Sequence, residues 1–183
     1  TEDASGNLYC AEYTVGEALW RSTDNGANWT DISSNLVGAE PGSPTVTAYA
    51  THLHEVYYDT YRDILFVTGG DGANQNIQYS TDGGDTFSEW TASDSTGQVT
   101  GIYPTADAII IAMDHSTDRR IQRIPTTTGY LSTNYDDAAY TVYTPPRGSG
   151  HSTPSLDGQI WRFVRHGHIL VGCYYTSVQS LLM

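Results

Sequence analysis

Two stretches of this chain are written on one skeleton, and nothing else in the sequence constrains the fold as tightly. Residues 19–32 read LWRSTDNGANWTDI and residues 77–90 read IQYSTDGGDTFSEW. Both carry Ser-Thr-Asp-x-Gly-x-x-aromatic: Ser22, Asp24, Gly26 and Trp29 in the first, Ser80, Asp82, Gly84 and Phe87 in the second. The chemistry is that of a tight hairpin. An Asp side chain accepts from backbone N–H groups further round the turn, the Gly takes a positive φ at no steric cost, and the aromatic folds back over the hairpin. Short alternating runs flank each box, so each reads as a turn between two strands.

The likeness extends upstream. An apolar strand, a polar loop and the strand entering the turn precede each box, in NLYCAEYTVGEALWRS and ILFVTGGDGANQNIQYS. Residues 108–124 (AIIIAMDHSTDRRIQRI) and 168–182 (HILVGCYYTSVQSLL) keep that shape without the box. With Trp20, Gln78, Gln122 and Gln179 taken as equivalent, the spacings are 78 − 20 = 58, 122 − 78 = 44 and 179 − 122 = 57. Further β-rich runs, at 52–59, 98–104 and 158–165, stand ahead of the last three copies. The unit is four strands, a to d, and no helical periodicity interrupts it. A four-stranded unit at this repeat length is a β-propeller blade. The expected fold is all-β, with blades at 1–34 (partial), about 48–92, about 97–144 and 151–183 (partial) of one segment. About three and a half blades do not close a ring comfortably. The simplest expectation is a segment of a larger propeller, and the alternative is a ring completed by its own ends or by other copies.

The boxes resemble the Asp-box, or BNR, repeat of sialidase-type propellers. The second unit, HLHEVYYDTYRDILFVTGGDG followed by YSTDGGDTF, is similar to BNR-repeat proteins of microbes and their viruses. The resemblance implies a six-bladed ring with the boxes at the outer edge of the blades, where they are structural. No box residue is therefore expected to be catalytic.

In a propeller strand a lines the channel, and the b–c and d–a loops share one rim. That rule puts Asp71, Asn74 and Asn76 on the rim with Asp114, His115 and Asp118, and with Glu12 and Glu17. Two long connections, 33–51 and 126–150, are expected there as d–a loops, bringing Tyr49, Tyr130, Tyr135, Asp136, Asp137, Tyr140, Tyr143 and Arg147. Tyr, Asn and Asp suit sugar hydroxyls, since aromatic faces stack on rings while amides and carboxylates hydrogen-bond. The plainer alternative is that the acidic loops are only solvated and the tyrosines cover apolar edges. His52 and His54 alternate at the start of an innermost strand, and His151 stands in a similar channel position. A His-x-His pair can ligate a transition metal, but no third ligand stands out, so no metal and no cofactor is expected.

Arg123-Ile124-Pro125 matches a sialidase triplet, yet it follows the boxes and falls on a strand c, away from the channel. The remaining arginines are scattered, and no Tyr–Glu nucleophile pair assembles. Three functions follow as expectations. The first is a non-catalytic extracellular or virion-surface module that binds glycans or mediates attachment through the b–c/d–a rim. The second is a sialidase-like glycoside hydrolase with part of its catalytic set elsewhere. The third is a purely structural surface or filament subunit.

Charge narrows the partners. The chain has 21 acids against 8 bases, a net charge of −13, and every base is Arg. Such a field repels phosphate backbones and anionic lipid, so neither nucleic acid nor membrane insertion is expected. The first residues show neither a basic start nor an apolar stretch, so no signal peptide is expected. A Lys-free, Asp-rich surface suits a secreted or virion protein kept soluble by its charge, and it equally suits a high-salt environment, where screening removes self-repulsion. Cys10 and Cys173 sit in apolar runs and are expected to be buried thiols.

Overall fold

The computed structural model describes residues 1–13, 18–38, 52–69, 76–90, 99–113, 120–135, 137–143, 159–166 and 169–175, the last two as backbone strands. Their architecture is a series of antiparallel meanders in which neighbours in sequence are neighbours in the sheet. The first sheet orders β1 (Leu8–Ala11), β2 (Leu19–Ser22) and β3 (Thr30–Asp31). The second orders β4 (Leu53–Asp59), β5 (Ile64–Gly69), β6 (Asn76–Ser80) and β7 (Ser88–Trp90). The third contains β8 (Val99–Pro104), β9 (Ala108–Met113), β10 (Arg120–Pro125) and β11 (Thr141–Tyr143), and the fourth pairs β12 (Gln159–His166) with β13 (Ile169–Tyr175). No sheet closes on itself, and among the described residues the only helical turns are short 3-10 segments.

The sheets stack face to face because their second strands are apolar on both faces. In β5, ILFVTG, every residue is buried. Leu65 and Val67 pack towards the first sheet with Tyr9, Leu19, Ile32, Leu36 and Phe87, whereas Ile64 and Phe66 pack towards the third with Ile102, Ile109, Ile111 and Met113. Strand alternation sends successive side chains to opposite layers, so a run without polar interruption is what a strand between two sheets requires. Each such side chain contributes about 1.5–3 kcal/mol on full burial. β9, AIIIAM, sits likewise between the second sheet and β12.

The first strands share an irregularity that the sequence does not announce. In the second sheet the register steps from Leu53 opposite Gly69 to Glu55 opposite Thr68, leaving His54 as an extra residue. In the third it steps from Val99 opposite Met113 to Gly101 opposite Ala112, leaving Thr100 extra. In the fourth it steps from Ile160 opposite Tyr174 to Arg162 opposite Cys173, leaving Trp161 extra. A β-bulge, which bends a strand and re-aims a side chain, thus recurs near the start of β4, β8 and β12.

The same correspondence reaches the first residues. Thr1 exchanges backbone hydrogen bonds with Tyr9, and Glu2 bridges Leu8, so Thr1–Glu2 lie along the edge of β1 that β2 leaves open. Asp3 Oδ1 then accepts from the Ser5 N–H at 2.9 Å, as Asp59 Oδ1 accepts from the Tyr61 N–H at 2.9 Å after β4. Thr1–Glu2 therefore pair along the same edge of β1 that the first strand occupies in the second and third sheets.

One connection is corrected. Residues 126–140 were expected as part of a d–a loop on the rim; because β11 pairs with β10, they join the third strand to the fourth. Among its described residues, Tyr130 and Tyr135 are core residues, packed with side chains of the second and third sheets.

Candidate functional site

The two boxes fold alike, atom for atom. In the first, Ser22 Oγ donates to Asp24 Oδ1 at 2.9 Å and accepts from the Gly26 N–H at 2.9 Å. Asp24 then accepts from the Asn28 backbone at 2.8 Å and from Asn28 Nδ2 at 2.7 Å. In the second, Ser80 and Gly84 repeat the first two bonds at 2.7 and 2.8 Å, and Thr86 supplies the backbone and hydroxyl donors to Asp82 at 2.9 and 2.6 Å. Gly26 and Gly84 both take positive φ, +85° and +88°. These bonds hold the Asp82 carboxyl down at about 2, with Thr86 as the main cause, and Asp24 is lowered in the same way by Asn28. The boxes are turn chemistry with their donors and acceptors matched internally.

The second box also serves as a joint. Tyr9 Oη lies 2.9 Å from the Gly83 carbonyl and 2.8 Å from Asp3 Oδ2, and burial raises its pKa. Arg21 donates to the same carbonyl at 2.8 Å and to Asp85 at 2.7 Å, while Asn35 Nδ2 donates to the Gly84 carbonyl at 2.8 Å. At the same end of the stack, Arg62 bonds Asp59 at 2.7 Å and reaches the Thr105 and Ala106 carbonyls and Thr126 Oγ1 across to the third sheet. Arg123, on β10, pairs with Asp107 there, at the end of the stack away from Tyr13.

The opposite end carries the candidate site. There β1 finishes and β4, β6, β8 and β10 begin, so Glu12, Tyr13, His52, His54, Asn76, Thr100 and Arg120 lie on one side of the stack. Tyr13, 48% exposed, lies over His52 with ring centroids 4.5 Å apart and reaches His54 at 5.9 Å. The bulged His54 donates its Nδ1–H to the Val99 carbonyl at 2.9 Å, which fixes its tautomer and ties β4 to β8. Glu55 Oε2 accepts from the Ile102 N–H at 2.9 Å across the same junction. Glu12 Oε2 accepts from Trp20 Nε1 at 3.2 Å, between β1 and β2. The arrangement offers an exposed aromatic face braced by two imidazoles. Among the described residues no group of three or more His, Cys, Asp or Glu could hold a metal ion.

The expected rim residues divide. Asn76 begins β6 at this end and is 9% exposed, with Nδ2 unpartnered. Tyr135 does not belong to a rim: it is 1% exposed, edge-on to Trp90 at 5.8 Å, because its loop folds inward. Asp71, Asn74, Asp114, His115, Asp136, Arg147 and His151 lie outside the described residues. Cys10, expected to be buried, is an exposed free thiol, since its face of β1 turns away from the second sheet. Sequence reasoning missed Tyr13. Its only signal was an aromatic just after a strand, and its partners are 39 and 41 residues away (52 − 13 and 54 − 13). No family model matches the chain, and no curated protein matches it in sequence.

Proposed function

We propose that the chain is a segment of an Asp-box β-propeller acting as a non-catalytic module on a cell or virion surface, and that it binds glycans at the end carrying Tyr13, His52 and His54. The stacked meanders, the two matching boxes and the recurring bulge support the propeller reading. The observation that carries the binding reading is the exposed Tyr13 ring braced on His52 and His54. A sugar ring stacks on such an aromatic face while its hydroxyls bond the imidazoles, an aromatic surface with a few convergent polar groups. The boxes, at the other end, act only in the fold. Screening the protein on a glycan array tests the reading. A bound glycan class whose signal falls at least tenfold in Tyr13→Ala, with the melting temperature kept, supports it; an array without hits, or hits indifferent to Tyr13→Ala, overturns it.

A further inference from the structure

The first box contains a motif that its own turn does not require. Asn28-Trp29-Thr30 is an Asn-x-Thr sequon, the spacing that N-linked glycan transfer recognises, and none of the other six asparagines has Ser or Thr two residues on. The turn does not demand Asn there. The counterpart in the second box is Thr86, which closes the same turn with its backbone N–H on Asp82 Oδ1 and its hydroxyl on Asp82 Oδ2.

The comparison of the boxes also shows what a modified Asn28 would keep. A Thr hydroxyl carries one hydrogen, and that one suffices for Asp82. The Asn28 amide carries two, and its bond to Asp24 Oδ2, at 2.7 Å, uses one. A saccharide on Nδ2 replaces one hydrogen and leaves the other, so the modified amide still matches Thr86 as a donor. Room is present as well. Asn28 and Thr30 are exposed, and so are Thr86 and Ser88 at the same places in the second box. Those two stay exposed although Phe87, between them, is buried in a core shared with the first sheet. The exposure of positions 28 and 30 thus belongs to the box itself and does not depend on what packs against the first sheet.

We propose that Asn28 is an acceptor for an N-linked glycan. Asn28 Nδ2 attacks C1 of a saccharide carried on a polyisoprenyl diphosphate. The Nδ2–C1 bond forms, the C1–O bond to the diphosphate breaks, and the displaced Nδ2 proton passes to a base of the transferase. Transfer precedes closure of the turn, because in the fold Asp24 holds both the backbone N–H and the amide of Asn28, at 2.8 and 2.7 Å. The folded box then has only to accommodate the product. The acceptor lies at the box end, opposite the Tyr13 face, so either reading can fail alone.

The test is expression of the 183-residue chain behind a secretion leader in yeast or insect cells. Mass spectrometry of the peptide containing Asn28, before and after peptide-N-glycosidase, reads the modification in total cell protein and in the medium. The expected result is a saccharide mass on that peptide, and Asn28 converted to Asp when the enzyme removes it. Thr30→Ala should abolish the modification, and Asn28→Thr, which copies the second box, provides the unmodified folded reference. The glycosylated chain should melt within about 3 °C of Asn28→Thr, the scale of a minor perturbation at this chain length. Unmodified Asn28 in both fractions, or a saccharide retained in Thr30→Ala, would overturn the proposal. A glycosylated chain melting further below Asn28→Thr than that would overturn it too, since the product would then not fit the box.

Discussion

Single residues carry different loads at positions that look alike in sequence. Gly84 and Gly129 both sit at positive φ, +88° and +83°. A Cβ at Gly129 meets nothing within 4 Å, whereas one at Gly84 would come within 2.9 Å of Ile32 Cδ1, contributed by the first sheet. Gly129→Ala is therefore expected to cost only the left-handed backbone penalty, about 1–2 kcal/mol. Gly84→Ala must also displace the Ile32 Cδ1 methyl, adding overpacking of up to about 1–3 kcal/mol, and urea unfolding of the two variants gives the difference directly. Equal costs would mean that the Ile32 side chain yields to the added methyl. Acid sensitivity also belongs to this scale. Asp82 is held at about 2 in the fold against an ordinary carboxyl value of 3.8. A folded pKa below the unfolded one stabilises above the unfolded value and loses that stabilisation as pH falls through the folded one. The contribution is thus full above about pH 4 and drains towards pH 2. Asp82→Asn should flatten that part of the urea-midpoint profile, and an unchanged profile would contradict the assignment.

At the scale of elements, the second and third sheets are joined by Arg62, which pairs with Asp59 at the end of β4 and reaches the Thr105 and Ala106 carbonyls and Thr126, a link that the sequence does not advertise. The Asp59 side chain is 0% exposed and its partner Arg62 16%. Arg62→Met leaves a buried carboxylate uncompensated and is expected to cost about 3–5 kcal/mol. Adding Asp59→Asn should recover a substantial part, and no recovery would show that the other bonds of Arg62 carry the joint. What was legible at this scale followed from local chemistry. The boxes, the strand runs and the four-strand unit were readable because turn residues and two-residue alternation are local signals. The inward fold of residues 126–140 was not readable: Tyr130 and Tyr135 look like rim aromatics until Trp90, 40 and 45 residues earlier (130 − 90 and 135 − 90), supplies the surface they pack on. The bulges at His54 and Thr100 were hidden too, since an extra residue in a strand leaves no mark in composition. Cys10 was misjudged because an apolar run suggests burial on both faces, and β1 is covered on one.

For the whole molecule, charge and placement decide what is testable. Six acids are engaged in the fold: Asp24 and Asp82 close the boxes as expected, Asp59 and Asp107 anchor arginines, Asp85 meets Arg21, and Asp63 accepts from Tyr58. A net charge of −13 remains, without a Lys among the bases. Screening shortens from about 10 Å at 0.1 M salt to about 3 Å at 1 M, so the melting temperature should rise with KCl over that range. A falling one would show that the ion pairs outweigh the repulsion. The central claim is a division of labour between the two ends of the stack, fold chemistry at the box end and ligand contact at the end of Tyr13, His52 and His54. One comparison tests it most directly: the affinity of the best array-selected glycan for the wild type, Asp24→Asn and His52→Ala, measured by calorimetry at one temperature below all three melts. The division predicts unchanged affinity in Asp24→Asn and affinity at least tenfold weaker in His52→Ala. The reverse pattern, or equal losses in both, would contradict it.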